Sequence, residues 1–152
     1  MKNIRRLVII LCICILSTSV SFAATPKREV KLVNTNACYT ELNKYRKDRK
    51  ITVLKKDKNL EKIAKIRAKE MAETGKFSHT RPNGKRSLTL IKGNKAKGEN
   101  IAMGFRDAKS VTRAWYESKG HRDNMLRKKF KKIGIAAYEY NGIIYWCQIY
   151  SS

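Results

Sequence analysis

Residues 133–149 have the sequence IGIAAYEYNGIIYWCQI, in which Asn141-Gly142 separates two runs of alternating residues. Both residues of that pair tolerate the positive φ angles of a type I′ turn, so the pattern predicts a β-hairpin. The second run is apolar on both of its faces, because the neighbours Tyr145 and Trp146 point to opposite sides. We therefore expect a sheet that is covered by helices on both sides.

Three helices are predicted upstream of the hairpin from apolar residues at helical spacing and from capping residues. The first covers residues 36–49, the second runs from Asp57 as N-cap to Gly75, and the third runs from Asp107 as N-cap to Gly120. The connecting segments are interpreted as follows: a brief strand or tucked loop at 51–54, an irregular stretch at 79–98, and at most one helical turn at 88–91.

The chain has two histidines, and each stands in a short distinctive phrase. The phrases are FSHT at residues 77–80 and KGHR at residues 119–122, with GENIA at residues 98–102 between them. This spacing predicts one site that is assembled from three distant segments. Imidazole and carboxylate side chains together can bind a divalent metal, relay protons or simply hold a core together, and the sequence leaves these three alternatives open.

The N-terminus is typical of a secretory signal peptide. Basic residues precede an apolar run from Leu7 to Leu16, and small residues follow up to Ala23. A retained membrane anchor is the alternative, but the run has about ten residues whereas a spanning helix needs about 20. We therefore expect an exported protein with a signal peptide at 1–23, a short polar lead at 24–35, one domain at 36–152 and no transmembrane segment after cleavage.

The charge of the chain is strongly positive, with 35 Lys and Arg against 12 Asp and Glu and a net charge of +23. Removal of the three basic residues of the signal peptide lowers that charge to about +20. Such a charge attracts wall polymers, acidic lipid headgroups or extracellular nucleic acid, although lysines spread along a chain are also typical of solvated faces. Aromatic residues are not regularly interleaved with the lysines, so a specific nucleic-acid surface is not expected.

Cys38 and Cys147 are the two cysteines that remain after the predicted cleavage. An exported protein can form disulfides, and a bridge over this long loop would stabilise the fold by about 4–5 kcal/mol. Alternatively, each cysteine is a small buried apolar residue with a free thiol. Both alternatives remain open at the level of the sequence.

Four motifs in the same order resemble those of the CAP superfamily, the domain of cysteine-rich secretory proteins, antigen 5 and plant pathogenesis-related proteins, in its small bacterial SCP-like form. The motifs are FSHT, GENIA, Trp115 followed by the phrase S-x-G-H-R-x-N-x-L at 118–126, and IGI at 133–135 with YWCQ at 145–148. The resemblance implies an α+β fold, a three-layer α-β-α sandwich with a central antiparallel sheet. It also implies a cleft in which two histidines and two acids converge.

The residues that match the family cleft are His79, Glu99 and His121. In eukaryotic relatives a glutamate lies three residues after the helix tryptophan, and Ser118 stands at that position here. The adjacent Glu117 is rotated by about 100° around a helix, so it need not face the cleft. The candidate cleft is therefore His79, Glu99 and His121, with Glu117 and Ser118 as alternatives for the fourth position.

Two neutral imidazoles and a carboxylate suit Zn²⁺ with one position left for water, which makes His79 and His121 candidate metal ligands and Glu99 a third. No G-x-S-x-G or H-E-x-x-H phrase occurs, so no catalytic residue is assigned. In the structural alternative, Glu99 is buried and accepts hydrogen bonds that hold the irregular segment.

Three functions follow from these observations. The leading hypothesis is an exported, monomeric, non-enzymatic binding module whose groove takes a lipid, glycan or peptide and whose charge holds it at anionic polymers or lipids of the cell envelope. The second is a metal-dependent hydrolase or protease that uses His79, His121 and Glu99. The third is a cationic extracellular factor that binds polyanions.

Overall fold

The computed structural model describes residues 30–93 and 95–152; the predicted signal peptide lies outside this part of the chain. The helices and strands of the described part are, in chain order, β1 (Lys31–Leu32), α1 (Asn36–Asp48), β2 (Lys55–Lys56), α2 (Lys58–Thr74), a 3-10 turn (Ser87–Leu90), β3 (Lys97–Met103), α3 (Ala108–Glu117), α4 (Lys119–Leu126), β4 (Lys132–Tyr140) and β5 (Ile143–Ser151).

The predicted hairpin is confirmed as the centre of the sheet. β4 and β5 pair antiparallel from Lys132–Ser151 to Tyr140–Ile143, and the two turn residues have φ angles of 53° and 74°. β3 pairs antiparallel with the other edge of β5, and β1 with the other edge of β4, which gives the order β1-β4-β5-β3. The two residues of β2 pair parallel with the first residues of β4.

Helices cover both faces of this sheet, so the expected three-layer α-β-α sandwich is confirmed. On one face α1, α3 and α4 pack over Ile133, Ile135, Trp146 and Tyr150. On the opposite face α2 packs over residues such as Ile149, together with Leu88 of the 3-10 turn and Ile91 after it. The two faces are built by alternate residues of the same strands, as the period of two along a strand requires.

The first two helices lie close to their predicted bounds, but two other elements are corrections to the sequence analysis. The third helix ends at Glu117, and a separate helix, α4, begins at Lys119 and contains Gly120, which was expected to be a stop. Residues 97–103 form β3, although residues up to Gly98 were expected to be irregular and the following residues were not assigned to a strand. The expected polar lead also includes β1.

The two cysteines lie on opposite faces of the sheet. Cys38 of α1 belongs to the core under α1, α3 and α4, whereas Cys147 of β5 belongs to the core under α2. Both are free and buried, so the disulfide alternative is wrong for this structure. Burial raises the pKa of the Cys38 thiol to about 11, and burial also raises the pKa of Cys147.

None of the helices in the described residues is both long enough and apolar enough to cross a membrane.

The N-terminus of α2 supplies the first testable prediction. One carboxylate oxygen of Asp57 accepts hydrogen bonds from the backbone N–H groups of Asn59 and Leu60, at 2.9 and 3.0 Å. These bonds satisfy two N–H groups that the helix itself leaves without partners. Replacing Asp57 with alanine is expected to lower the free energy of unfolding by about 1–2 kcal/mol, measured by urea denaturation.

The matched control for this prediction is Asp57→Asn, because an asparagine oxygen can accept the same two bonds. It should keep most of the stability. Some loss is expected in the asparagine variant as well, since the second oxygen of Asp57 pairs with Lys132 Nζ at 3.2 Å. Equal unfolding midpoints for the alanine variant and the unaltered protein would contradict the capping role.

Candidate functional site

His79 and Glu99 are in direct contact. His79 lies in the loop after α2, Glu99 lies in β3, and Nδ1 of the histidine is 2.6 Å from Oε2 of the carboxylate. The two side chains differ sharply in exposure, because the histidine side chain is 57% exposed and the glutamate side chain 2%. The contact therefore links an accessible imidazole to a buried carboxylate.

Both oxygens of the Glu99 carboxylate are fully engaged. Ser87 Oγ donates to Oε2 at 2.7 Å, and Arg67 Nε donates to Oε1 at 2.9 Å. Burial raises the pKa of Glu99, but the hydrogen bonds of His79 and Ser87 and the charge of Arg67 lower it by more, so the pKa lies below its usual value. Glu99 is thus a buried carboxylate anion whose charge is compensated by Arg67.

Arg67 continues this contact into a chain of charges that the sequence analysis missed. Its guanidinium donates to Glu70 Oε2 at 2.7 Å and to the backbone oxygen of Ser78 at 2.5 Å. Arg81 in turn donates to both oxygens of Glu70. The result is an alternating row of charges that fixes the loop around His79 to α2 and β3.

A sequence signal for Arg67 did exist. The buried stripe of α2 includes Leu60, Ala64, Ala68 and Met71, and Arg67 falls on the same face at helical spacing. A charged residue on a buried stripe requires a buried partner of opposite charge. The partner is Glu99, which lies 32 residues away in the sequence and so could not be identified from local spacing.

His121 lies on α4, and its ring is held by a different residue. Its Nδ1 is 3.0 Å from Ser118 Oγ. Burial lowers the pKa of His121, and its electrostatic interaction with His79 lowers it further. Among the hydrogen bonds of the described residues, none joins His121 to His79 or to Glu99.

Two asparagines hold α4 against β3 at this point. Asn124 donates to the backbone oxygen of Glu99 and to Oδ1 of Asn100, at 3.3 and 2.9 Å. Asn100 in turn donates to the backbone oxygen of His121 at 3.1 Å. The backbone near His121 is therefore tied to the strand that carries Glu99.

Glu117 and Ser118, the two alternatives for the fourth position, have different surroundings. Glu117 Oε1 accepts from Arg113 Nε at 2.8 Å on the exposed side of α3, and its side chain is 61% exposed. Ser118 contacts His121, as described above. Of the two residues, only Ser118 therefore contacts a candidate site residue in the described part of the chain.

A zinc centre with His79, His121 and Glu99 as its three ligands does not fit this geometry. Both oxygens of Glu99 are already bonded to side chains of the protein, and a carboxylate paired with a buried arginine is a poor ligand. Within residues 30–93 and 95–152, no three His, Cys, Asp or Glu side chains come together in a group that could hold a metal ion.

A small hollow lies beside the His79–Glu99 contact and has a volume of about 260 Å³. Its lining is mostly polar and includes two cationic side chains, and it is formed by His79, Arg86, Ser87, Leu88, Lys97, Gly98, Glu99 and Asn124. His121 does not line it. The hollow can present the imidazole of His79 and the cations of Arg86 and Lys97 to a small polar group. Ser87 and Asn124 instead bond to β3 and hold the surrounding segments in place.

Comparison with known proteins identifies the family. The Cysteine-rich secretory protein family, CAP, matches residues 39–150. The uncharacterized protein YkwD of Bacillus subtilis (strain 168) is 30% identical over 132 residues, which is 84% of this chain and 47% of that protein. This chain therefore spans about half the length of that curated relative.

Two solved structures are similar in fold. An outer surface protein of Borrelia burgdorferi has a TM-score of 0.71 and 22% identity, with 82% of this chain and 98% of that chain covered. An extracellular protein of Bacillus anthracis that contains an SCP domain has a TM-score of 0.69 and 26% identity, over 77% of this chain and 39% of that chain. The motifs, the sandwich and the family match agree, and the chain belongs to the CAP family of cysteine-rich secretory proteins.

Proposed function

We propose that this chain is an exported, non-enzymatic binding module that its positive charge holds at the anionic surface of the cell envelope. The observation that carries the proposal is the excess of 35 basic over 12 acidic residues. Ion pairs already occupy the following carboxylates: Asp57, Glu61, Glu70, Glu73, Glu99, Glu117 and Asp123. Within the described part of the chain, most lysines are thus left without an acidic partner and can attract an external polyanion.

The surroundings of His79 support a binding or scaffolding role over catalysis. A nucleophile is activated when its hydroxyl is bonded to the histidine. Ser87 Oγ donates to Glu99 instead, and Ser78 Oγ accepts from the backbone N–H of Thr80 at 3.1 Å. The hydroxyls of Ser87 and Ser78 thus stabilise the local fold and are not bonded to His79; the separate pair of Ser118 Oγ and His121 Nδ1 has no hydrogen bond to Glu99 among the described residues.

Export is supported by two independent features. The predicted signal peptide at residues 1–23 has a basic start, an apolar run and a small residue at the expected cleavage site. Two relatives in fold are described as an outer surface protein and as an extracellular protein. An exported protein with this positive charge would then bind an anionic component of the cell envelope.

The test is sedimentation of the purified domain with vesicles that contain phosphatidylglycerol, which present a phosphodiester. Strong binding is expected at about 0.1 M salt and little at about 1 M, because the Debye length falls from about 10 Å to about 3 Å. Vesicles of phosphatidylcholine alone should not bind. His79→Ala should bind like the unaltered protein, because the attraction comes from the lysines.

Three outcomes would contradict the proposal. Binding that resists salt would remove the electrostatic mechanism. Loss of binding in His79→Ala, together with stoichiometric Zn²⁺ uptake in calorimetry, would favour the metal-dependent hydrolase. Equally tight binding to double-stranded DNA would favour a general polyanion-binding factor.

A hydrolytic function has one observation in its favour. The exposed ring of His79 is oriented through Nδ1 by a buried carboxylate, as in a general base whose second nitrogen faces a substrate. This second candidate needs a water or hydroxyl held against that nitrogen. It would be supported by a hydrolytic activity that His79→Ala abolishes while the unfolding midpoint stays unchanged.

A further inference from the structure

The loop that carries His79 also places Arg86 beside it. Thr80 and Arg86 form an antiparallel bridge, and the backbone N–H of Ser87 donates to the backbone oxygen of His79 at 3.0 Å. An exposed turn at 82–85 joins the two sides of this bridge. Backbone hydrogen bonds to the segment that holds His79 therefore fix the position from which Arg86 lines the hollow.

Two side chains of this hollow are cations without an anionic partner. Lys97 lines it from the start of β3, and its Nζ donates to the backbone oxygen of Ile91, which leaves the charge of the ammonium uncompensated. Arg86 lines it from the loop and is exposed. Its guanidinium makes neither a hydrogen bond nor an ion pair with any of the described residues. Both cations are therefore available to an external anion.

The carboxylate in the lining does not compensate these two cations. Glu99 is paired with Arg67, and Glu70 beside them is paired with Arg81. This row of two acids and two arginines is neutral as a whole. The two cations of the lining are thus in excess, so the hollow attracts an anion and would repel a divalent metal ion.

We propose that this hollow binds a phosphate group, either inorganic phosphate or the end of a small phosphomonoester, between the guanidinium of Arg86 and the ammonium of Lys97. A phosphate dianion matches the two positive charges, whereas a carboxylate would compensate only one of them. The volume of about 260 Å³ suits such a small group, because pockets that enclose drug-sized ligands have about 300–1,000 Å³. The site goes beyond the proposed function, since it recognises one small anion at a defined place.

Calorimetry on the purified domain with inorganic phosphate, at about 0.15 M salt, tests this site. One-to-one binding is expected, because salt screens exposed lysines more than a partly enclosed pair of cations. Dimethyl phosphate and acetate carry one negative charge each and should bind about tenfold more weakly or less. Glucose 1-phosphate distinguishes the two sources of the phosphate group: affinity equal to that of the inorganic ion indicates a monoester, and weaker binding indicates the free ion.

A pair of neighbouring variants locates the site. Arg86→Gln should weaken phosphate binding about tenfold, because it removes a charged donor from the hollow. Lys85→Gln is the matched control, since Lys85 is exposed, does not line the hollow and loses the same charge. It should bind phosphate like the unaltered protein. The side chain of Arg86 has no hydrogen bond within the described part of the chain, so Arg86→Gln should also keep the unfolding midpoint.

Four results would overturn this inference. The absence of one-to-one phosphate binding would remove the site, and acetate binding as tight as phosphate binding would remove the preference for a dianion. An equal loss in Lys85→Gln would show that charge acts without a defined site. Stoichiometric Zn²⁺ uptake that His79→Ala abolishes would show that the hollow selects a cation.

The envelope role is tested separately from this site. Arg86→Gln should still bind phosphatidylglycerol vesicles in a salt-sensitive way, because the lysines of the surface remain. Vesicle binding without phosphate binding would thus contradict the site alone, and phosphate binding without vesicle binding would contradict the envelope role alone. Loss of vesicle binding in Arg86→Gln would contradict the view that the two are independent.

Discussion

Replacing Gly134 with alanine is expected to lower the free energy of unfolding by about 3 kcal/mol or more, because the added Cβ atom would collide with the backbone of α2. Gly134 lies in β4, directly under the first turn of α2. A Cβ atom at this position would lie 2.1 Å from the backbone nitrogen of Glu61 and 2.1 Å from the backbone carbon of Leu60. Because backbone atoms cannot rotate away as a side chain can, the whole end of α2 would have to move.

Urea denaturation of Gly134→Ala measures this loss, and Gly120→Ala is its matched control. Gly120 lies inside α4, where an added Cβ has no neighbour within 4 Å. Alanine is favoured over glycine within a helix by about 1 kcal/mol, so the control variant should be at least as stable as the unaltered protein. Gly134→Ala with an unchanged midpoint would mean that α2 does not rest on β4 as closely as described.

Gly134 also illustrates how far the sequence leads to the fold. The alternation around it and the Asn141-Gly142 turn are local signals, and the hairpin they predict is confirmed. The residue's close approach to α2 is a tertiary contact between segments about 70 positions apart, and no local pattern encodes it. The periodicity of the hairpin only suggested a sheet covered by helices on both sides. The three-layer α-β-α sandwich was predicted from the resemblance to a known family.

β3 and α4 were missed because their stability comes from contacts distant in sequence. β3 begins with Lys97-Gly98-Glu99-Asn100, residue types that are mostly depleted in strands. Glu99 and Asn100 are buried there because Arg67 and Gln148 provide their partners. Tertiary hydrogen bonds therefore stabilise β3 as a strand although its first residues have low strand propensity.

α4 has weak intrinsic signals for a similar reason. It has a glycine in its first turn, and the side chain of its N-cap, Ser118, makes no capping bond. Met125 is buried under it, and Asn124 bonds to β3. The candidate site follows the same logic: His79 and Glu99, which contact each other, were singled out from their phrases, whereas Arg67, Glu70, Arg81 and Ser87 became visible only when distant segments met.

The second large effect is expected at the buried ion pair between Arg67 and Glu99. The two side chains are 1% and 2% exposed, and their atoms Nε and Oε1 are 2.9 Å apart. Glu99→Gln removes the negative charge and leaves the guanidinium buried beside a neutral amide. Breaking a buried pair on one side costs about 3–5 kcal/mol, and we expect a loss of unfolding free energy at the lower end of that range, because Arg67 keeps its ion pair with Glu70.

The pH dependence of this loss follows from the lowered pKa of Glu99. A carboxylate whose pKa is lower in the folded than in the unfolded protein stabilises the fold above the unfolded value, near 4.5. That contribution disappears as the pH falls through the folded pKa. The difference in stability between the unaltered protein and Glu99→Gln should therefore be full at neutral pH and shrink progressively below about pH 4.5.

A double-mutant cycle separates the pair from its surroundings. Arg67→Met alone should also destabilise, because it leaves Glu99 buried with His79 and Ser87 but without its cation. The double variant, Arg67→Met with Glu99→Gln, should lose much less than the two single losses added together, since neither partner is left as an unpaired buried charge. Strict additivity would mean that the two residues do not act as a pair.

Glu117→Gln is the matched control for this cycle. It removes the same carboxylate from an ion pair of similar length, since Glu117 and Arg113 are 2.8 Å apart, but both side chains are largely exposed. Water replaces an exposed partner at little cost, so this variant should unfold at the midpoint of the unaltered protein. Comparable losses at Glu117 and Glu99 would mean that the burial of Glu99 has no energetic consequence, and the view that its carboxylate is the anchor of the His79 loop would then be untenable.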